Sequence, residues 1–407
     1  MMGILGLAGG AWLALGVDWP YTLRALFVLS ATAAPMIALE VMRRRSSAPN
    51  VAPGAHAASL ARLGRTLRRT LGLALTLALF VPAYSMLSWI GDTAAPLRLI
   101  YLMFALLTLA LAAPTYWWKS AEDDRADAAW RLGDALIAWR FPAFDAAMWE
   151  HLRQWTLKCF FIPFLFWATS INLIAFEKVA QNHAAIADWF VVAHHLIFLL
   201  DVALGCIGYF ITVRAFGSHI RSTNPYWLAW LACLVCYPPF WPVMYDVMLD
   251  YDRNGDWLGF MSGIGGPAFY LWAGAIVFLE LVYVWATVIF GIRFSNLTNR
   301  GILTNGPYRW VKHPAYLSKN LSWWLWTLPF VPVAGWGDAA WATAQLAILN
   351  VIYFVRARTE ERHLRDDPDY VAYETWMRDN DLFAFMRRGA GALSVRFSPA
   401  LARRGGA

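Results

Sequence analysis

Residues 267–290 read PAFYLWAGAIVFLELVYVWATVIF, an apolar run in which Glu280 is the one charged side chain. A helix crosses the hydrocarbon of a bilayer in about 20 apolar residues, whereas a barrel strand needs only about ten. This run is too long and continuous for a barrel strand. In lipid, a helix satisfies every backbone group within its own segment, so the stretch is predicted to be a membrane-spanning helix.

Working outward, similar runs recur near 3–17, 21–41, 71–90, 97–118, 158–177, 189–212, 226–244, 319–334 and 338–355; those at 3–17 and 319–334 are short. The expected fold class is therefore all-α: a polytopic transmembrane helical bundle of about ten spans. Composition agrees. The 407 residues are 59% apolar and 15% charged, where soluble domains carry about 25% charged residues. A mean hydropathy of +0.44 and 24 tryptophans exclude a disordered chain, which is poor in aromatics.

The balance of 34 Lys and Arg against 27 Asp and Glu is basic, but the arginines are strung between apolar runs, which reads as membrane topology and not as a nucleic-acid surface. Clusters at Arg43–Arg45, Arg62–Arg69, Arg214 with Arg221, Arg293–Lys312 and from Arg356 onward can all lie in the cytoplasm. The opposite joints are short or acidic, so both termini are expected to be cytoplasmic. Residues 1–118 read as N-terminal transmembrane helices with a cytosolic linker at 46–70. They are followed by a cytosolic amphipathic segment at 119–157, central transmembrane helices at 158–290, a C-terminal core at 291–390 and a basic tail at 391–407. Met1–Val17 has no Lys or Arg ahead of its apolar stretch and so lacks the charged start of a signal peptide; it is expected to stay on the mature protein. Arg-heavy, Ala-rich usage suggests a bacterial inner membrane.

Several polar features have a structural reading beside a functional one. Cys159, Cys206, Cys233 and Cys236 lie in or beside apolar runs, where cysteine packs as a small hydrophobe, and no disulfide framework or metal centre is implied. Asp250, Asp252, Asn254, Gly255 and Asp256 resemble the start of a calcium loop, but the twelfth position is Met261 and the closing bidentate Glu is missing; an acidic external turn is preferred. His194, His195 and Asp201 could line a cavity or make interhelical hydrogen bonds, and Glu280 is read as a packing or polar-pair residue. The glycines at 3–10 and 263–265 follow no strand, so a dinucleotide fingerprint is rejected.

The chemistry is sought in Gly301–Leu317, GILTNGPYRWVKHPAYL. Gly306-Pro307 makes a turn, His313-Pro314 places an imidazole beside a second break, and Tyr308, Trp310 and Tyr316 set aromatic faces beside Arg309 and Lys312. By composition this is a ligand loop or an interfacial aromatic belt. The second stretch, Arg356–Leu364, reads RARTEERHL and is followed by Tyr370 and Tyr373. Its carboxylates could receive a cationic group and its arginines an anionic one, or it could be a salt-bridged helix end.

Together the two stretches resemble an integral-membrane methyltransferase family that includes isoprenylcysteine carboxyl methyltransferase and the bacterial phospholipid methyltransferases. The family pattern is GPYR-x-x-RHP-x-Y-L, a hydrophobic hairpin, R-T-E-E-x-x-L and Y-x-x-Y. Here it falls on Gly306–Arg309, Lys312–Leu317, Arg358–Leu364 and Tyr370 with Tyr373, over about residues 291–385. The spacing from His313 to Glu361 is close to the family's, while Lys312 stands where the family has arginine and forgoes a planar bidentate contact.

The resemblance implies S-adenosylmethionine as cofactor, held at the cytoplasmic face by Tyr308, His313, Pro314, Tyr316, Leu317, Glu360 and Glu361. It assigns Arg309, His313 and Arg358 to catalysis and implies a lipophilic acceptor that enters from the membrane lipids. His313, Glu360 and Tyr316 all remain open as the base for an amine or hydroxyl acceptor. The sterol C14-type reductases share part of the pattern and bind a reduced nicotinamide dinucleotide, but a dinucleotide's phosphates would prefer cations to Glu360 and Glu361. A non-catalytic lipid-binding or transport protein is the third reading.

Overall fold

A computed structural model describes residues 2–15, 17–45, 60–87, 94–122, 125–181, 186–255 and 257–384. It is helical nearly throughout. The helices are α1 (Met2–Leu15), α2 (Tyr21–Arg45), α3 (Leu60–Ala78), α4 (Val81–Ser85), α5 (Ala94–Glu122), α6 (Ala128–Ile137), α7 (Ala146–Gln181), α8 (Ile186–Phe210), α9 (Trp227–Leu234), α10 (Phe240–Met248), α11 (Trp257–Ile264), α12 (Gly266–Phe290), α13 (Pro314–Thr327), α14 (Trp336–Leu364) and α15 (Pro368–Asn380). Two two-residue strands, β1 (Ser222–Thr223) and β2 (Thr298–Asn299), pair antiparallel.

Among the described residues, 7 helical stretches are long and apolar enough to cross a membrane: α2, Leu60–Ser85, α5, α7, α8, α12 and α14. The three other expected spans form shorter elements. The run at 3–17 is the 14-residue α1, roughly 21 Å long at 1.5 Å per residue. The run at 226–244 is interrupted around Pro238 and Pro239 and becomes α9 and α10, of 8 and 9 residues. The run at 319–334 ends with α13 at Thr327, where Leu328 turns left-handed at φ 45°. Two expected boundaries also move. Residues 60–70 belong to α3, which leaves 46–59 of the expected linker, like the tail at 391–407, outside the described residues. The amphipathic segment does not stop at 157, because α7 runs unbroken from 146 to 181.

The chain divides into two compact units. The first comprises residues 1–225, 230–250 and 290–300. Within it, α1 lies against α2 through glycines: Cβ atoms at Gly6 and Gly10 would meet Ala31, the small-residue contact that lets membrane helices approach. Arg24 of α2 reaches Glu177 of α7 at 2.9 Å. Arg300, buried, donates to the carbonyls of Gly208, Ile211, Ser218, Ile292 and Phe294. It thereby gathers the end of α8 and the irregular chain after α12, whose carbonyls no helix ladder satisfies. Cys159, Cys206 and Cys233 are buried and all four cysteines are free thiols. The His194 and His195 rings meet edge to face, 5.3 Å apart.

The second unit comprises residues 226–229, 251–289 and 301–407. Its core seats Trp257, 1% exposed, against Phe269 and Trp326. The turn that resembled a calcium loop serves the fold instead. Asn254 is buried, donates to the carbonyls of Leu328 and Val331, and accepts from the Ala334 amide. It pins the connection between α13 and α14. No cluster of three or more metal-ligating side chains occurs among the described residues, and Asp256 lies outside them. α13 and α14 run antiparallel, with Trp324 donating to Asn350 at one level and His313 meeting Glu361 at another.

Candidate functional site

The site begins with the turn before α13. Gly306 holds φ +58°, a left-handed angle that favours glycine, and a Cβ there would stand 3.0 Å from the Ile289 side chain of α12. Pro307 and Tyr308 are buried in the resulting 3-10 turn, and Trp310 meets Trp285 of α12 edge to face at 5.6 Å. The Tyr308 carbonyl accepts a hydrogen bond from the Tyr373 hydroxyl at 2.6 Å. Pro314 then starts α13, where its missing N–H costs nothing.

Four residues expected to act together are together. His313 Nε2 lies 3.2 Å from Glu361 Oε1, and the Tyr316 hydroxyl donates to Glu360 Oε2 at 3.0 Å. The His313 and Tyr316 rings stack with centroids 5.4 Å apart and 2° between planes. The antiparallel pairing of α13 with the end of α14 explains this, since one turn along α13 from His313 brings Tyr316 level with the neighbouring carboxylate. Arg358 Nη1 joins Glu361 Oε2 at 3.1 Å.

Other expected residues stand apart. Arg309 is exposed and makes no ion pair among the described residues. It lines an open groove of about 800 Å³ with Ile302, Asn305, Asp369, Tyr373 and Trp376. Leu317 points outward, 37% exposed, and Tyr308 contributes its carbonyl while its ring is buried.

Other neighbours join these four: Arg356 and Tyr370 belong to the second candidate stretch, whereas Glu374 is not singled out by the sequence. Arg356 is buried, with its guanidinium 5.0 Å from the Tyr316 ring centre and 4.8 Å from that of Tyr353, an arrangement that holds a cation by the ring quadrupoles. Glu374 of α15 receives Lys312 at 2.8 Å and Arg365 through two hydrogen bonds of 2.9 and 3.0 Å. The Arg365 hydrogen bonds, with Lys312 in support, hold the Glu374 carboxyl down at about 2 against the opposing effect of burial. Its sequence signal is faint: α15 buries Tyr370, Tyr373 and Met377 at helical spacing, and Glu374 lies at the margin of that face. Tyr370 is 3% exposed and its hydroxyl has no hydrogen-bond partner among the described residues. Burial, then the charges of Glu361, Glu374 and Glu360, push its pKa above the ordinary phenol value.

The second unit of this helical membrane protein thus gathers a His–Pro turn, paired carboxylates and stacked rings. Residues 270–366 match the sequence model of the isoprenylcysteine carboxyl methyltransferase (ICMT) family. The match covers the C-terminal region from α12 to the end of α14. No curated protein and no solved structure matches the chain.

Proposed function

We propose that this protein is an integral membrane methyltransferase that uses S-adenosylmethionine to methylate a lipophilic, membrane-embedded acceptor. The observation that carries the reading is the convergence of His313, Tyr316, Glu360 and Glu361, with the family match over the same stretch in support. The donor set fits the cofactor's chemistry. Glu360 and Glu361 suit its ammonium, and the outer face of the His313 ring suits its sulfonium. The buried Tyr370 hydroxyl suits one of the cofactor's polar groups.

When bound, the cofactor supplies a methyl group on a sulfonium, which an acceptor displaces in line. The chain's contribution is to hold and orient the two reactants and to exclude water. A carboxylate or thiolate acceptor needs no strong base; for an amine or hydroxyl, His313, Glu360 or Tyr316 is placed to take the proton. The basic joints of the sequence support a cytoplasmic position for this end of α13 and α14.

The test is binding to detergent-purified protein, with S-adenosylmethionine, S-adenosylhomocysteine and reduced nicotinamide dinucleotide phosphate titrated in parallel. Saturable binding of the two adenosyl ligands alone, lost in Glu361→Ala and in His313→Ala proteins of unchanged thermal stability, is the expected result. Dinucleotide binding alone would replace the reading with a reductase, and unchanged affinity in both variants would remove the site assignment.

A further inference from the structure

Lys312 and Arg365 are each shared between two carboxylates, and each stands nearer the one farther from the His313 ring. Lys312 Nζ is 2.8 Å from Glu374 Oε1 and 3.6 Å from Glu361 Oε1. Arg365 Nη2 is 2.9 Å from Glu374 Oε1 and 3.8 Å from Glu361 Oε2. Glu361 is 7% exposed at its side chain and already has His313 and Arg358 within 3.2 and 3.1 Å. Two further cations closing on it would saturate its oxygens, because an ionised carboxylate offers about four lone-pair sites. Glu374 takes both cations at the shorter distance. It lies on α15, beyond the family-matched stretch, and pairs with the lysine that stands in place of the family's arginine.

We infer that Glu374 is a positioning residue: it draws Lys312 and Arg365 off Glu361 and so keeps the Glu361 carboxylate open to a cationic ligand group. The inference rests on the proposed cofactor reading, in which that group is the ammonium of S-adenosylmethionine. Lysine suits the arrangement better than arginine would. A compact ammonium on a flexible stem can be drawn aside by one carboxylate, whereas a planar guanidinium could bridge Glu374 and Glu361 together.

The experiment compares S-adenosylmethionine affinity, by calorimetry on the full chain in detergent, for wild type, Glu374→Gln, Glu374→Asp, Lys312→Met and the Glu374→Gln/Lys312→Met double variant. Glu374→Gln releases both cations onto Glu361 and should weaken binding about tenfold, the scale of one charge-assisted hydrogen bond. Glu374→Asp, which keeps the charge, should bind within about threefold of wild type. The deciding result is the double variant: removing the released lysine should recover a large part of the lost affinity. A purely structural role for Glu374 predicts the opposite, since the double variant then loses a second contact and binds no better than Glu374→Gln. That result, or wild-type affinity in Glu374→Gln, overturns the inference. Wild type that binds no cofactor, or a Glu361→Ala protein that binds as well as wild type, overturns the cofactor reading itself and the inference with it.

Discussion

The Tyr373 hydroxyl donates to the Tyr308 carbonyl at 2.6 Å, and this one buried bond ties α15 to the turn from which the site is built. Tyr373→Phe keeps the ring and removes the donor of this buried hydrogen bond, at a cost of about 0.5–1.5 kcal/mol. Thermal unfolding in detergent should show the loss. An unchanged melting temperature would mean that the other ties to the turn, Lys312 to Glu374 and the Leu382 amide to the Trp310 carbonyl, hold it without this bond.

Glu374 gives the site an acid limit. Its carboxyl is held at about 2 in the fold, against an ordinary value of 4.5, so its contribution to stability is complete above about pH 4.5 and disappears as pH falls toward 2. The melting temperature of wild type should therefore drop more steeply than that of Glu374→Gln between those values. The two should run parallel above pH 5, at a constant offset. Parallel curves throughout would show that the ion pairs with Lys312 and Arg365 do not persist in solution.

In the first unit, the crossing of α3 and α6 tolerates no side chain. A Cβ at Gly72 would fall 1.8 Å from the Ala129 carbonyl oxygen, and one at Gly133 would fall 1.8 Å from that of Arg68. Gly72→Ala and Gly133→Ala should each cost about 1–3 kcal/mol or more, read as loss of monodisperse protein on size-exclusion chromatography or as a lowered melting temperature. Normal behaviour of both would show that the helices can separate freely.

Asn254 is predicted to matter as an amide and not as a metal ligand. Asn254→Asp keeps the acceptor that meets Ala334 but loses the donor that meets Leu328 and Val331, and should destabilise the fold by about 1–3 kcal/mol. Millimolar calcium should leave the wild-type melting temperature unchanged. Stabilisation by calcium would restore the cation-loop reading of Asp250–Asp256.

The long apolar helices were legible because 20 or so consecutive apolar residues have few other solutions, and 267–290 is the clearest case. Two of the expected spans fall on shorter elements where an apolar run hides a break: Pro238 and Pro239 divide 226–244, and Leu328 ends α13 early. Local chain chemistry decided those points. Pairing His313 with Glu361 was legible because two motifs at a known spacing constrain each other. Glu374 was not, since a lysine and a glutamate 62 positions apart carry no mutual signal until the fold of α15 over the turn brings them together. Arg309 shows the converse: its motif named it, yet its side chain faces the open groove and not the carboxylates.

α14 holds 29 residues, roughly 43 Å of helix, where the hydrocarbon it crosses is about 30 Å thick. The surplus is about nine residues, and the charged end from Arg356 to Leu364 supplies it, with Glu360 and Glu361 on the overhang. Under the proposed function the lipid is therefore a ruler for the chemistry. In a thicker bilayer, hydrophobic mismatch would draw the carboxylates toward the acyl chains, and in a thinner one tilt would carry them away from the depth of the proposed acceptor. The length of the acyl chains around this protein would then be a variable of the proposed reaction, set by the membrane and independent of the sequence.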